Sequence, residues 1–354
     1  MSPHEPRAGT VHVVVPEGID DPRRPSGGNT YDRRVCLGLE ALGWTVHEHA
    51  VPGAWPDPEP AGCSALAAVL AGLPDDAVVL LDGLVASTAA DVLVPEAGRL
   101  RQVVLVHMPA GERHRARERA VLSAATGVLT TSAWTGDLLL DRHRLDPGRV
   151  HVARPGVDAA ELAPGTPTGG ELLCVAAVTP GKGHDVLLAA MSGLAELPWR
   201  CVCVGTLERD PDFVAHLGRQ ARQSGIADRV RFVGPRTGPA LDASYAAADV
   251  LVLASRAETY GMVVTEALAR GLPSVTTSVG GLPEALGGAA GGELPGLLVP
   301  PDDPPALAAA LGSWLGDGGL RRDLRTAARE RRASLPGWPT TARAVAGVLA
   351  GVAP

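Results

Sequence analysis

The sequence predicts a doubly wound α/β architecture in two domains, on three observations. Short apolar runs alternate with amphipathic stretches from end to end. The runs are continuous in Val and Leu, as parallel strands buried on both faces should be. The 354 residues, at about 150 per domain, are enough for two hydrophobic cores. In order, the strand-type runs are Val11–Val15, Thr45–His49, Ala77–Leu81, Gln102–Val106, Gly127–Thr131 and Val150–Ala153. Leu172–Val178, Arg200–Val204, Val230–Val233, Val250–Leu253, Ser274–Thr277 and Gly296–Val299 follow in the second half. Helical patterns such as Asp185–Leu194, Phe213–Gln223 and Ala306–Leu315 lie between them, which is the alternation of a doubly wound sheet. The Pro/Gly/Thr-rich segments 154–158 and 163–170 read as a linker, dividing the chain into domains 1–160 and 161–339. After Pro336-Gly337-Trp338-Pro339 a forced break sets apart one last apolar helix, Thr340–Leu349.

Composition narrows the function classes. The formal net charge of −7 argues against a general nucleic-acid binder, which needs a basic surface to release phosphate counterions. No run of some 18–20 apolar residues escapes charge or proline, so no transmembrane segment is expected. The amino terminus shows no basic-then-apolar signal segment, and a cytoplasmic protein is expected. Five cysteines, at 36, 63, 174, 201 and 203, show no CxxC or Cys/His metal spacing. Cys201 and Cys203 flank one valine and so share a strand face, a core position before a chemical one. Of the 32 basic residues only Lys182 is lysine, and Asn29 is the only asparagine. That bias points to a GC-rich genome which has converted replaceable lysines to arginine.

Open parallel sheets bind ligands beyond the carboxyl ends of their strands, which directs attention to three loops. After the first strand, Ser26-Gly27-Gly28-Asn29 precedes a helix with Tyr31, Val35, Leu39 and Leu42 on one side. Two glycines there let backbone N–H groups approach a phosphate, although a plain flexible loop reads the same way. It is not GxGxxG, which weakens a nicotinamide-cofactor reading. In Thr179-Pro180-Gly181-Lys182-Gly183-His184, a lysine between glycines can neutralise a diphosphate. It is not a Walker loop, since Gly183 stands where that motif has Ser/Thr. An ordinary surface lysine is the alternative, weakened because this chain kept lysine nowhere else. The third loop carries Glu258 and leads into a helix from near Gly261 to Gly271, with Glu266 one turn inside. Spacing alone proves nothing, because Glu40 and Glu48 repeat it without any site character.

Together these residues resemble the family-4 glycosyltransferases of the GT-B fold, and the block E-x-Y-G…E-A-L-A-x-G-x-P from Glu258 to Pro273 is its most specific part. The resemblance implies two Rossmann-like doubly wound domains facing a central cleft: an acceptor-side domain 1–160, a nucleotide-sugar domain 161–339, and a crossing helix 340–354 joined to the first. It implies a retaining, metal-independent hexosyl transfer from a UDP- or GDP-sugar to an acceptor hydroxyl, with no cofactor beyond the donor substrate. By the same resemblance Lys182 would hold the diphosphate, Glu258 a sugar hydroxyl and Glu266 the ribose. Gly181, Thr259 and the backbone of Tyr260, Gly261 and Met262 would line the donor, with Gly27, Gly28 and Asn29 closing from the first domain. His107, just past the strand Gln102–Val106, matches the family's active-site histidine.

Some features depart from that pattern or remain open. Many relatives place Arg five residues before the lysine, where this chain has Ala177; Arg154 or Arg256 is left as the substitute. Asp210-Pro211-Asp212 has a metal-binding DxD form but reads as a helix cap. The run 113–119 reads as a solvated helix face relieved by Glu112 and Glu118, in preference to a contact with an anionic acceptor or lipid surface. An epimerase-type enzyme and a catalytically impaired sugar-nucleotide binder are the competing readings. The acceptor, bound by loops 17–25 and 109–119, and the oligomeric state are not legible.

Overall fold

The computed structural model describes residues 9–21, 25–289 and 291–353; residues 22–24 of the loop 17–25 and the first eight residues of the domain 1–160 lie outside that range. The chain forms two compact units, one ending at Gly156 and resuming at Pro336, the other running from Val157 to Leu335.

The first unit holds a six-stranded sheet in the order β2-β1-β3-β4-β5-β6, all pairs parallel. Its strands are β1 (Thr10–Pro16), β2 (Thr45–Val51), β3 (Val78–Asp82), β4 (Arg101–Val106), β5 (Gly127–Thr130) and β6 (Val150–Val152). Every residue of β3 is buried, which is why Val78–Leu81 are apolar without alternation before the strand ends at Asp82. Leu66, Leu70, Val79, Leu81, Val104 and Leu122 form the centre of the core. Helix Trp338–Val352 belongs to this unit and packs on helix Gly27–Ala41 so closely that a Cβ on Gly38 would stand 2.5 Å from that of Ala342. This last helix starts two residues before the expected Thr340. Pro339 sits in the first turn, where its missing N–H loses no bond.

The second unit has a sheet in the order β12-β11-β10-β7-β8-β9, again all parallel. Its strands are β7 (Glu171–Val175), β8 (Arg200–Val204), β9 (Val230–Phe232), β10 (Val250–Leu253), β11 (Ser274–Thr277) and β12 (Gly296–Val299). Leu172, Leu173, Leu187, Leu251, Leu268, Leu311 and Trp314 lie in its core. Fully buried Asp249 holds the Pro/Gly/Thr-rich entry segment to this sheet. It accepts from the Thr166 hydroxyl at 2.6 Å and the Glu171 N–H at 3.0 Å, and pairs with Arg325 at 2.6 Å. Asp210 caps helix Pro211–Gln223 by accepting from the Phe213 N–H at 2.9 Å, the role read for the DxD segment. Among the described residues no helix is long and apolar enough to cross a membrane.

Candidate functional site

In a doubly wound sheet a ligand crevice opens where the strand order reverses, because the loops on either side wind away from each other. In the second unit that point lies between β7 and β10, and the loops leaving these two strands carry Lys182 and Glu258. After β7 the chain makes a tight turn at Pro180–Lys182 and enters helix His184–Ser192 through Gly183 at φ +65°. A Cβ on Gly183 would stand 1.9 Å from the Ala254 carbonyl oxygen, so only glycine lets this loop close on the end of β10. Gly183→Ala is therefore expected to destabilise the unit by at least about 2 kcal/mol in urea unfolding, from backbone strain and a direct clash.

The closed loop places Lys182 Nζ 2.5 Å from Glu258 Oε2, with the Ser255 hydroxyl 3.5 Å from the same oxygen. Both partners of the ion pair stay partly open to solvent. Glu258 is held from behind by a second glycine pair, absent from the three loops read in the sequence. Gly281 donates its N–H to the Glu258 carbonyl at 3.0 Å, and Gly280, at φ +55°, approaches so closely that a Cβ would lie 1.7 Å from that oxygen. A signal exists in the sequence: Gly280-Gly281 follows β11 and precedes helix Leu282–Leu286 as Gly27-Gly28 follows β1. Gly261 then starts helix Met262–Ala269 with no side chain capping it, which leaves first-turn N–H groups such as that of Met262 to a ligand.

Glu266, one turn into that helix, accepts a hydrogen bond at 2.7 Å from the Tyr245 hydroxyl. Burial holds the Glu266 carboxyl above its ordinary range, opposed by that hydrogen bond and by Arg270. Tyr245 lies outside all three sequence loops, and the structure brings it to the site. Its rarity is the signal, as one of three tyrosines in the chain. Tyr245→Phe is expected to cost about 1 kcal/mol by removing the hydrogen bond to a half-buried carboxylate oxygen, read by thermal unfolding.

Arg256 is not available to replace the arginine missing at Ala177. Its guanidinium pairs with Asp185 through two bonds, at 2.9 and 2.8 Å, and with Asp302 at 2.6 Å, and it also donates to the Pro180 carbonyl. It fixes the lysine loop and does not face a ligand. Gly181, at the tip of that loop, is exposed.

In the first unit the strand order reverses between β1 and β3. Gly27 and Gly28 form the first turn of helix Gly27–Ala41, not a loop before it, because Ser26 caps the helix by accepting from the Asn29 N–H at 3.1 Å. The Asn29 side chain donates to the Ile19 carbonyl at 3.0 Å and so braces the loop after β1. A Cβ on Gly28 would lie 3.2 Å from the His107 ring.

His107 Nε2 lies 2.7 Å from Asp32 Oδ1, and the ring packs edge-on to Tyr31, whose hydroxyl donates to the Ala153 carbonyl at 2.9 Å. Burial works against a charged imidazole here, but the Asp32 carboxylate and, behind it, that of Asp82 outweigh it and push His107 up to about 9. Asp82 is raised to about 7, by burial first and by Asp32 second. No local motif connects either aspartate to His107, so neither was a candidate from sequence. Asp32, Asp82 and His107 bring one ligand atom each within 4.8 Å of one another. Asp82 already accepts from the Leu84 N–H at 2.7 Å and Asp32 from His107, so the group is wired as a charge-paired acid–base cluster.

The basic run 113–119 is only partly a solvated face. Arg113 pairs with Asp57 and Arg115 with Glu112. Glu118, read as surface relief, is fully buried: it accepts from the Ala110 N–H at 2.7 Å and lies 2.8 Å from His143 Nε2. The helix turns this carboxylate inward to anchor the 109–111 loop that follows His107.

A family model for glycosyl transferases group 1 matches residues 169–317, the segment holding Lys182, Glu258, Tyr245 and Glu266. The D-inositol 3-phosphate glycosyltransferase of Salinispora arenicola is 35% identical over 287 residues, covering 73% of this chain and 62% of that protein. Its counterpart in Salinispora tropica is 34% identical over 281 residues, covering 71% and 57%. The similarity to these glycosyltransferases extends beyond the matched segment, over more than two thirds of the chain. Its alignments span about three fifths of the length of those two relatives. A glycosyltransferase from Rickettsia africae shares this chain's fold with TM-score 0.77 at 18% identity, over 98% of both chains. Anabaena HepE in complex with UDP-glucose does so with TM-score 0.75 at 17% identity, over 97% of this chain and 99% of that one. The two Rossmann-like sheets are therefore those of the GT-B fold.

Proposed function

We propose that the chain is a retaining, metal-independent glycosyltransferase that moves a hexose from a UDP- or GDP-sugar to an acceptor hydroxyl. The observation that carries this reading is the Lys182–Glu258 pair, set at the strand-order reversal of the second unit and 2.5 Å apart. A nucleotide sugar offers each partner a better match. Its diphosphate takes the Lys182 ammonium and the unfilled first turn of helix Met262–Ala269, and its sugar hydroxyls donate to the Glu258 carboxylate freed in the exchange. Glu266, held through one oxygen by Tyr245, keeps the other for a ribose hydroxyl. The lining is completed by the backbone of Gly181, Thr259, Tyr260 and Gly261. The UDP-glucose held by Anabaena HepE supports a donor of this class.

Breaking the anomeric bond places positive charge on the sugar ring and negative charge on the departing diphosphate, so stabilising the leaving group is the main catalytic task. Lys182 and the helix N–H groups supply that charge complement. In the first unit His107, an imidazolium at neutral pH, is a hydrogen-bond donor for a substrate oxygen, and Gly27, Gly28 and Asn29 shape its surroundings. No carboxylate is required as nucleophile: the acceptor hydroxyl attacks on the face the diphosphate leaves, and a diphosphate oxygen takes its proton.

The test is nucleotide release from UDP- and GDP-hexoses with EDTA present. D-inositol 3-phosphate is the first acceptor to try, because the two Salinispora relatives are named for it. The expected result is release of one nucleotide per glycoside formed, with the donor's anomeric configuration kept in the NMR coupling constant. Release abolished by EDTA, an inverted product, or no release from any donor overturns the reading.

A further inference from the structure

Glu118, on helix Arg115–Ala124, sets a carboxylate in the core of the first unit at 0% exposure. Its Oε1 accepts two hydrogen bonds, from the Ala110 N–H at 2.7 Å and from the Ser87 hydroxyl at 3.3 Å. Its Oε2 lies 2.8 Å from Nε2 of His143, the last residue of helix Ala133–His143. That imidazole is 1% exposed and its Nδ1 is buried without a partner, so the ring's hydrogen bonding is given to Glu118. The two segments joined at Oε1 are those that carry the acid–base cluster. Ala110 stands three residues after His107 in the loop after β4. Ser87 closes the short helix Gly83–Ala86, which begins directly after Asp82 at the end of β3. The two backbones are already close-packed there, since a Cβ on Gly83 would lie 2.8 Å from the Leu105 carbonyl oxygen. One carboxylate oxygen thus fixes how the His107 and Asp82 segments lie against each other.

We propose that Glu118, oriented by His143, is a positioning residue for the transfer reaction, holding His107 in its place beside Asp32 and Asp82. This role rests on the glycosyltransferase reading for its functional meaning; its geometry does not. Stability alone does not call for a carboxylate at this position. Desolvating one is costly, and apolar side chains of similar volume in place of a buried polar pair often serve a core as well or better. What an apolar residue cannot do is accept from Ala110 and Ser87 at once. Asp32 holds the His107 ring from helix Gly27–Ala41, at 2.7 Å, while Glu118 holds the backbone on which that ring stands. Without Glu118 the Ala110 N–H and the Ser87 hydroxyl lose their acceptor, and the loop 107–111 is free to take its hydrogen bonds from water. The attraction between His107 and its carboxylates falls as their separation grows, so a displaced loop weakens the charge on the imidazole.

The experiment uses the full chain with isotope-labelled histidine and follows the His107 ring by NMR through a pH titration, beside steady-state nucleotide release from the hexose donor that the wild type uses. In Glu118→Ala the titration of His107 is expected to fall by about 1–2 pH units from the wild-type value, the range that contact with an opposite charge supplies. The kcat should drop by about 10- to 100-fold with donor KM changed by less than about threefold, as misplacement of a group at the reacting centre produces. Glu118→Gln keeps one oxygen for Ala110 and Ser87 and turns its amide nitrogen to His143, and should recover most of both losses. Val121→Ala, on the same helix, controls for lost packing: it should lower the melting temperature and leave the His107 titration in place. Should Glu118→Ala fail to fold, Ser87→Ala removes a single hydroxyl and should move the titration in the same direction by less. A His107 titration unmoved in the folded variant, moved equally by Val121→Ala, or moved without loss of kcat overturns the proposal. Absence of turnover in the wild type overturns the glycosyltransferase reading instead, and the titration still decides whether Glu118 places His107.

Discussion

Lys182→Ala is expected to lower kcat/KM for the nucleotide-sugar donor by about 100- to 1,000-fold, the usual effect of removing one preorganised donor from a developing anion. The loss should fall on kcat at least as heavily as on KM, because the diphosphate carries its largest charge as it departs. Folding stability should change by less than about 1 kcal/mol, since a part-exposed ion pair contributes no more than that. Lys182→Arg keeps the charge but replaces a compact ammonium with a planar fork, in a turn closed by Gly183 against Ala254. It should leave turnover well below the wild type. The informative control is Glu258→Gln, which removes the ion pair but keeps the lysine. If Lys182→Ala and Glu258→Gln both turn over at the wild-type rate, the donor does not bind at this pair. If Lys182→Arg alone is fully active, the lone lysine of the chain is a remnant of codon bias and not a requirement of the site.

That bias explains much of what could be read in advance. A sequence emptied of lysine and asparagine kept Lys182 in the loop after β7, where it pairs with Glu258, and Asn29 as a brace for the loop after β1. Of its three tyrosines, Tyr31 packs on His107, Tyr260 lies beside Glu258 in the chain and Tyr245 holds Glu266. The strands were legible because parallel strands buried on both faces have no alternation to confuse, and Val/Leu runs mark them directly. What stayed hidden depends on topology. Asp32 follows β1, Asp82 ends β3 and His107 follows β4, and the 2-1-3-4 strand order alone makes these positions neighbours. Gly280 is glycine because of the Glu258 carbonyl, a contact between loops after β10 and β11 that no local pattern announces. Glu118 shows the opposite failure, since charge patterning placed on the surface a carboxylate that the fold turns inward onto Ala110 and His143.

The cluster that topology assembles makes the second large prediction, in pH. His107 is raised from an ordinary 6.5 to about 9 by carboxylates that overcome its burial, so wild-type kcat/KM should hold through neutral pH and fall as pH rises through about 9. Asp32→Asn removes the principal partner. Burial then acts with little opposition and pulls the imidazole to 6.5 or below, leaving about one-thirtieth of it protonated at pH 8. The variant should therefore lose about thirtyfold in kcat/KM at pH 8 and recover part of that at pH 6, a shift of the alkaline limb that a folding defect would not produce. The stability effect has a definite sign. A group whose folded pKa is raised contributes stability fully below its unfolded value, here 6.5, and loses it as pH rises through about 9. Asp82, raised to about 7, acts with the same sign at lower pH, lowering stability as pH climbs from its unfolded 3.8 to about 7, so the fall above pH 7 belongs to His107. Melting temperature should thus fall between pH 6.5 and 9 in the wild type and fall less steeply in Asp32→Asn. An alkaline limb that stays in place in this variant would show that Asp32 does not set the charge of His107, and would remove the imidazolium from the mechanism.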